Sequence, residues 1–232
     1  MGSGENMAVG IYLLDLHPGT DEERQVFLQK AAECVDPVRR RKAEHLKSEG
    51  ARAASLGAGL LLQKMVLDQQ NGIEVSGCIR LEAGTLFSLL KDETPLPLSY
   101  AYGEQGKPEL TNFPKHFNLS HSGDYVICAV SDGEVGADIQ KWIPFRERTA
   151  ERFFAAEEWK ELQELPESLR TEHFYRLWTR KEAYGKYTGR GIGSTVSENV
   201  SGEEECMKKQ IRFLEMTLED GYSIAVCCKR ER

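Results

Sequence analysis

Val135-Gly136-Ala137-Asp138-Ile139-Gln140 decides the fold, because the same pattern stands near the start of the chain as Val9-Gly10-Ile11-Tyr12-Leu13-Leu14. Pro18 and Pro144 follow the two copies at the same interval. Side chains alternate across a strand, so each copy reads as a strand with one continuous apolar face. Working outward, Gly123-Asp124-Tyr125-Val126-Ile127-Cys128-Ala129-Val130 resembles Asp220-Gly221-Tyr222-Ser223-Ile224-Ala225-Val226-Cys227, each a turn leading into a buried strand. Helical periodicity fills the intervals, at about residues 21–34 and 37–70, then 147–165 and 168–188. These echoes predict an α+β fold made of a pseudo-twofold pair of similar halves, 1–131 and 132–232. The junction is the turn-rich Ser131-Asp132-Gly133-Glu134.

The differences between the copies point to function. In the second copy Gly136, Asp138 and Gln140 share one strand face, where the first copy has Gly10, Tyr12 and Leu14 and no carboxylate. Conversely, Asn118-Leu119-Ser120-His121-Ser122 precedes the last strand of the first half, and the second half has no counterpart. Taken singly, Ser120 and Ser122 read as turn formers and Asp138 as a strand-end cap. If the halves pack together, one supplies acids and the other a histidine with hydroxyls, which makes a single site in the cleft between them.

A third stretch adds to that site. Phe174, Trp178, Glu182 and Lys186 are spaced four apart, so on a helix two aromatic anchors run directly into a carboxylate and an amine. An isolated Glu–Lys pair at this spacing is worth only a few tenths of a kcal/mol, about the value of a solvated surface pair. Placed on the apolar face, it marks a site.

Composition excludes several classes. A net charge of −7 argues against a nucleic-acid module, whose affinity rests on neutralising phosphates. No apolar run is long enough to span a bilayer, and no secretory signal pattern opens the chain. The six cysteines, Cys34, Cys78, Cys128, Cys206, Cys227 and Cys228, show no CxxC spacing, so neither a metal cluster nor a disulfide framework is expected. Cys128, Cys227 and Cys228 lie in apolar strand-like runs, where a free cysteine acts as a small buried hydrophobe, and a reducing cytoplasm is expected. The basic run Arg39-Arg40-Arg41-Lys42 stands out in an acidic chain, and alone it reads as a solvated helix face. No GxxxxGK[ST] or GxGxxG sequence occurs, so P-loop and dinucleotide folds have no support.

Asp138 and Glu182 are hard oxygen donors of the kind Mg²⁺ takes one or two at a time, with water and substrate phosphate filling its octahedron. Lys186, Lys107, His121 and the 39–42 cluster are the donors a pyrophosphate substrate requires. The combination points to phosphoryl-type transfer, in which the protein mainly positions groups and stabilises charge.

The order Gly106-Lys107-Pro108, Phe117-Asn118-Leu119-Ser120-His121-Ser122, Gly136-Ala137-Asp138-Ile139, then Trp178-x-x-Lys181-Glu182-Ala183-x-x-Lys186 with Gly189-x-Gly191 resembles the 4′-phosphopantetheinyl transferases of the surfactin-synthetase-activating type. The resemblance runs from about Val9 to Cys228 and implies coenzyme A bound between two α+β halves. It implies Mg²⁺ on Asp138 and Glu182, with Glu182 and Lys186 as the catalytic pair. Lys107, Ser120, His121 and Lys181 become coenzyme A contacts, and Arg39, Lys42 and Ser55 fall where the family holds the 3′-phosphate. One position departs from the common pattern: Gln140 stands where a glutamate is usual, leaving a direct or water-mediated role for it open. The implied reaction moves 4′-phosphopantetheine from coenzyme A to a serine of an acyl or peptidyl carrier protein and releases 3′,5′-ADP. The base would be Glu182 or a metal-bound water that it orients. A cytoplasmic monomer is expected. The competing expectation is a coenzyme A- or nucleotide-binding protein that keeps the cleft without turnover.

Overall fold

The computed structural model describes residues 8–17, 19–90, 94–195 and 197–230; Pro18 of the echoed interval lies outside them. The first half runs β1 (Gly10–Asp15), α1 (Asp21–Cys34), α2 (Pro37–Glu44), α3 (Glu49–Gln70), β2 (Gly77–Glu82), α4 (Ala83–Leu90), β3 (Tyr100–Tyr102), β4 (Pro108–Leu110), β5 (His116–Ser122) and β6 (Tyr125–Ser131). The second runs β7 (Val135–Lys141), α5 (Glu147–Phe153), α6 (Ala156–Glu164), α7 (Glu167–Thr188), α8 (Ile192–Thr195), α9 (Glu203–Lys208), β8 (Ile211–Leu218) and β9 (Tyr222–Lys229). Two stretches expected as single helices are broken. Asp36 caps α2 and Ser48 caps α3 by accepting from the Ala51 N–H, so 37–70 restarts at Ser48. At 147–165 the chain extends through Phe154 and Ala155, and the Glu158 carboxylate accepts the Ala155 N–H to begin α6.

Strand pairing repeats the sequence echo in register. β1 and β6 are antiparallel with Gly10 opposite Val130 and Asp15 opposite Tyr125; β7 and β9 are antiparallel with Gly136 opposite Cys227 and Lys141 opposite Tyr222. β5 continues the first sheet beyond β6, and β8 continues the second beyond β9, so the orders β1-β6-β5 and β7-β9-β8 correspond. Two elements in these sheets were not anticipated: β8, a half-buried edge, and β2, in which only Leu81 is buried. Asn118-Leu119-Ser120-His121-Ser122, expected as a turn-like segment before a strand, is itself the body of β5.

The sheets pack face to face. Ile11, Leu13, Ile127 and Ala129 of the first meet Val135, Ala137, Ile139, Ile224 and Val226 of the second, all essentially buried. Each fully buried Val, Leu or Ile here contributes about 1.5–3 kcal/mol of transfer free energy. Tyr125 and Tyr222, equivalent residues of the two halves, touch edge to face at 4.8 Å between ring centroids. Behind the first sheet, α1, α3 and α4 bury the larger core; behind the second, α7 covers Ala225 and Cys227.

The two halves differ at the outer edge of their first strand. The outer edge of β1 is taken by β2, which pairs with it in parallel. The corresponding edge of β7 lies instead beside β5, joined through side chains: Asn118 Oδ1 accepts from the Ala137 N–H at 3.0 Å and Ser122 Oγ from the Lys141 N–H at 3.0 Å. Among the described residues no helix is long and apolar enough to cross a membrane.

Candidate active site

Period-2 alternation makes β5 a two-sided support. Asn118, Ser120 and Ser122 turn toward β7, while Phe117 and Leu119 pack into the first core and His121 emerges on their side. Ser120 donates to Asp138 Oδ1 at 2.7 Å. Lys186 of α7 donates to the same oxygen at 2.7 Å, to Ser120 Oγ at 3.1 Å and to the Ala137 carbonyl at 3.0 Å. Asp138, only 2% exposed, is thus held by a hydroxyl from one half and an ammonium from the other. Charge-assisted bonds of this length are roughly twice as strong as neutral ones.

Gly136 is what lets α7 come so close. A Cβ there would overlap the Ala183 carbonyl oxygen and the Tyr187 nitrogen of α7 and lie 2.9 Å from the Tyr187 Cα. The helix ends at Gly189, whose left-handed backbone (φ 69°) forms the cap just beyond Lys186.

Glu182 sits one turn before Lys186, half-buried. Among the described residues it makes no hydrogen bond and no ion pair. Burial pushes its carboxyl above the usual range, the Asp138 charge pushes it further, and Lys186 pulls it partly back. A carboxyl raised by burial and by the Asp138 charge, and making no hydrogen bond or ion pair among the described residues, suits a divalent cation that would relieve the repulsion. The described residues contain no cluster of three or more His, Cys, Asp or Glu able to enclose a metal. The donor set therefore fits an ion bound by two carboxylates and completed by water and ligand oxygens. Gln140 turns its amide nitrogen to Asp138 Oδ2 at 3.1 Å, which makes it a support for Asp138 in this geometry.

The cationic side is assembled from β5 and α2. Partial desolvation holds the His121 imidazole below its ordinary pKa, and the charges of Lys186, Lys42 and Arg39 add to this while Asp138 opposes them. Lys42 is itself lowered, by burial and then by Arg39. Arg39 is 9% exposed and lays its stem on Gly59 of α3, while Tyr100 donates to the Asp36 carboxylate at 2.8 Å beside it. Ser55, on α3, is buried with its hydroxyl unsatisfied. An excess of cations beside an orphaned buried hydroxyl is the environment an anionic ligand completes.

Two expected contacts stand apart from this cluster. Lys107, at the end of the β3–β4 hairpin, pairs with Glu134 at 2.7 Å and donates to the Val135 carbonyl at 3.1 Å. Lys181, expected as a coenzyme A contact, is corrected by the geometry. Its ammonium is fully enclosed, pairs with Glu158 at 2.6 Å and donates to the Glu198 carbonyl at 2.8 Å. Sequence reasoning missed Asn118 and Ser122 as the joints that hold β5 to β7, although their period-2 spacing with Ser120 was the available signal.

Residues 134–227 match the model of the 4′-phosphopantetheinyl transferase superfamily. The chain is 39% identical over 131 residues to a putative 4′-phosphopantetheinyl transferase of Synechocystis sp., covering 54% of this chain and 53% of that protein. With the 4′-phosphopantetheinyl transferase psf-1 of Bacillus pumilus it is 37% identical over 135 residues, covering 54% and 58%. It thus spans little more than half the length of these two relatives. With the 4′-phosphopantetheinyl transferase AcpT of Salmonella typhi, 33% identity extends over 181 residues, 76% of this chain and 88% of that protein.

Proposed function

This chain belongs to the 4′-phosphopantetheinyl transferase superfamily, and from that premise we propose that it transfers the 4′-phosphopantetheine group of coenzyme A to a serine hydroxyl of an acyl or peptidyl carrier protein. The serine oxygen forms a bond to the β-phosphorus, the bond from that phosphorus to the bridging oxygen breaks, and 3′,5′-ADP leaves. The observation that supports this reading is the Asp138–Ser120–Lys186 cluster with the unpartnered Glu182 beside it, built where β5, β7 and α7 converge. On this reading the chain divides into halves at 131/132 and works as a cytoplasmic monomer.

Asp138 and Glu182 would hold Mg²⁺, which when bound withdraws charge from the pyrophosphate. Lys186, anchored at Asp138, presents its ammonium to the non-bridging oxygens of the reacting phosphate. His121, Lys42, Arg39 and Ser55 hold the nucleotide phosphates, and Lys107 joins them by exchanging Glu134 for a phosphate oxygen. The serine proton passes to Glu182 or to a water that Glu182 orients. Gln140 keeps Asp138 oriented through its amide.

The test is mass spectrometry of an apo-carrier incubated with coenzyme A and Mg²⁺. The expected product carries one phosphopantetheine on serine and appears with an equal amount of 3′,5′-ADP. No adduct on any apo-carrier tried, from a folded protein that binds coenzyme A, would leave the binding reading and remove the transferase one.

A further inference from the structure

The halves anchor their long helices differently, and the difference bears on Glu182. α3 and α7 are both 22 residues long. Lys64 and Glu182 are the sixteenth residues of the two helices, and Asp68 and Lys186 the twentieth. Tyr12 and Asp138 occupy the same place on β1 and β7, two residues after Gly10 and Gly136. The first half therefore carries a counterpart of the site, Tyr12–Lys64–Asp68. That counterpart is closed: Tyr12 donates to Asp68 Oδ2 at 3.0 Å, Lys64 pairs with Asp68, and all three residues are at most 9% exposed. Its charges cancel among themselves and tie helix to strand directly.

The second half cannot use that device without giving up the site. Asp138 and Lys186 pair, but Glu182 has to stay unpartnered to meet a ligand, and its burial beside Asp138 is unfavourable until it does. A helix carrying such a group needs an anchor elsewhere. One lies next to it in sequence, on a different side of the helix, since successive residues are about 100° apart around the axis. Lys181 and Glu158 form an ion pair in which neither side chain has any exposure. The Glu158 carboxylate also accepts the N–H groups of Ala155 and Val200 at 2.8 and 2.9 Å. Lys181 also donates to the Glu198 carbonyl at 2.8 Å. This couple ties α7 to the start of α6 and to the segment that follows α7. A buried pair with both carboxylate oxygens engaged is poorly explained by stability alone, because its desolvation cancels most of the attraction, but it is well suited to fixing one geometry.

We propose that Lys181 and Glu158 are positioning residues for the site. They fix the rotation of α7 from its outer side, replacing the direct helix–strand lock of the first half and leaving Glu182 free to face the ligand. The proposal rests on the transferase reading for the role of Glu182, though not for the anchoring itself.

The test is the double variant Lys181→Met with Glu158→Gln, which removes both charges together. Expected are a cooperative melt, coenzyme A affinity in metal-free buffer within about twofold of the parent by calorimetry, and an unchanged KM for coenzyme A. kcat should fall roughly 10- to 100-fold, the range for loss of a group that orients a ligating side chain. Calorimetric titration of Mn²⁺ in the presence of coenzyme A should show several-fold weaker binding. Should the double variant not fold, Glu158→Asp keeps both charges, shortens the reach by one methylene, and should give the same split. Unchanged kcat and Mn²⁺ binding would overturn the proposal. So would a parallel fall of coenzyme A affinity, Mn²⁺ affinity and kcat, which would mean plain destabilisation. If the parent protein transfers nothing, the functional reading fails and the Mn²⁺ titration alone decides the positioning role.

Discussion

Replacing Gly136 by alanine tests the contact on which the site depends. The new Cβ would lie 2.9 Å from the Tyr187 Cα and closer still to the Ala183 oxygen and Tyr187 nitrogen. Carbon contacts relax at about 3.5–4.0 Å, so α7 has to move off β7 by roughly 1 Å. All three obstructing atoms are backbone, so no rotamer change relieves them. Overpacking of this kind costs about 1–3 kcal/mol, and a rigid backbone neighbour puts the cost near 3. For a chain of this size each kcal/mol lowers the melting temperature by about 2–4 °C, which predicts a drop of roughly 6–12 °C. The same displacement would stretch the Lys186–Asp138 bond from 2.7 Å to beyond hydrogen-bond range, so transfer should fall further than the loss of folded protein explains. Thermal melting by circular dichroism, paired with the carrier-modification assay at a temperature where the variant is folded, measures both. Gly50→Ala is the control: nothing lies near a Cβ there, it sits in the first turn of α3, and it should be neutral or slightly stabilising. A Gly136→Ala protein that melts with the parent and transfers normally would refute the close-packing argument.

Glu182→Gln should abolish transfer while raising the metal-free melting temperature at neutral pH. The folded-state pKa of Glu182 is raised, so its contribution to stability is present below the ordinary carboxylate range and lost as pH rises through the raised value. The advantage of the variant should accordingly vanish on acidification below about pH 4 and, if Glu182 holds Mg²⁺ as proposed, be reversed by adding that ion; an equal melting temperature at every pH would contradict the assigned burial. Neutralising Arg39 and Lys42 together should weaken coenzyme A far more than dephospho-coenzyme A, and equal weakening would reduce them to general positive charge. Gln140→Glu exchanges an amide donor for a charge 3.1 Å from Asp138. It should destabilise the metal-free protein and lower the Mg²⁺ concentration for half-maximal activity by a coupling of about 1 kcal/mol, whereas an unchanged metal requirement would leave position 140 outside the ion's surroundings.

Much of this arrangement was legible in the chain. The two strand echoes translate into matching registers, and the alternation that sends Asp138 away from the apolar face is visible in six residues. The four-residue spacing from Phe174 to Lys186 gives one helix stripe, with Phe174 and Trp178 stacked at 5.8 Å. Residues that depend on distant partners were misjudged. Ser120 and Ser122 look like turn formers because a hydroxyl in a polar run favours local bonds, but their partners, Asp138 and the Lys141 N–H, are supplied by the other half. Lys181 looks like one more cation near a phosphate site, since nothing local indicates that Glu158 closes over it.

The sequence by itself determined the periodicities and the duplicated plan, and hence which residues share a face, because strand and helix repeats are properties of the local backbone. Tertiary structure alone decided that the two halves use the outer edge of their first strand differently. β2 occupies the edge of β1, while the matching edge of β7 is left for β5. It alone also closed the Tyr12–Lys64–Asp68 counterpart and left Glu182 unpartnered. Whether a buried charge is neutralised or left available depends on what packs against it across the fold, and no local pattern encodes that.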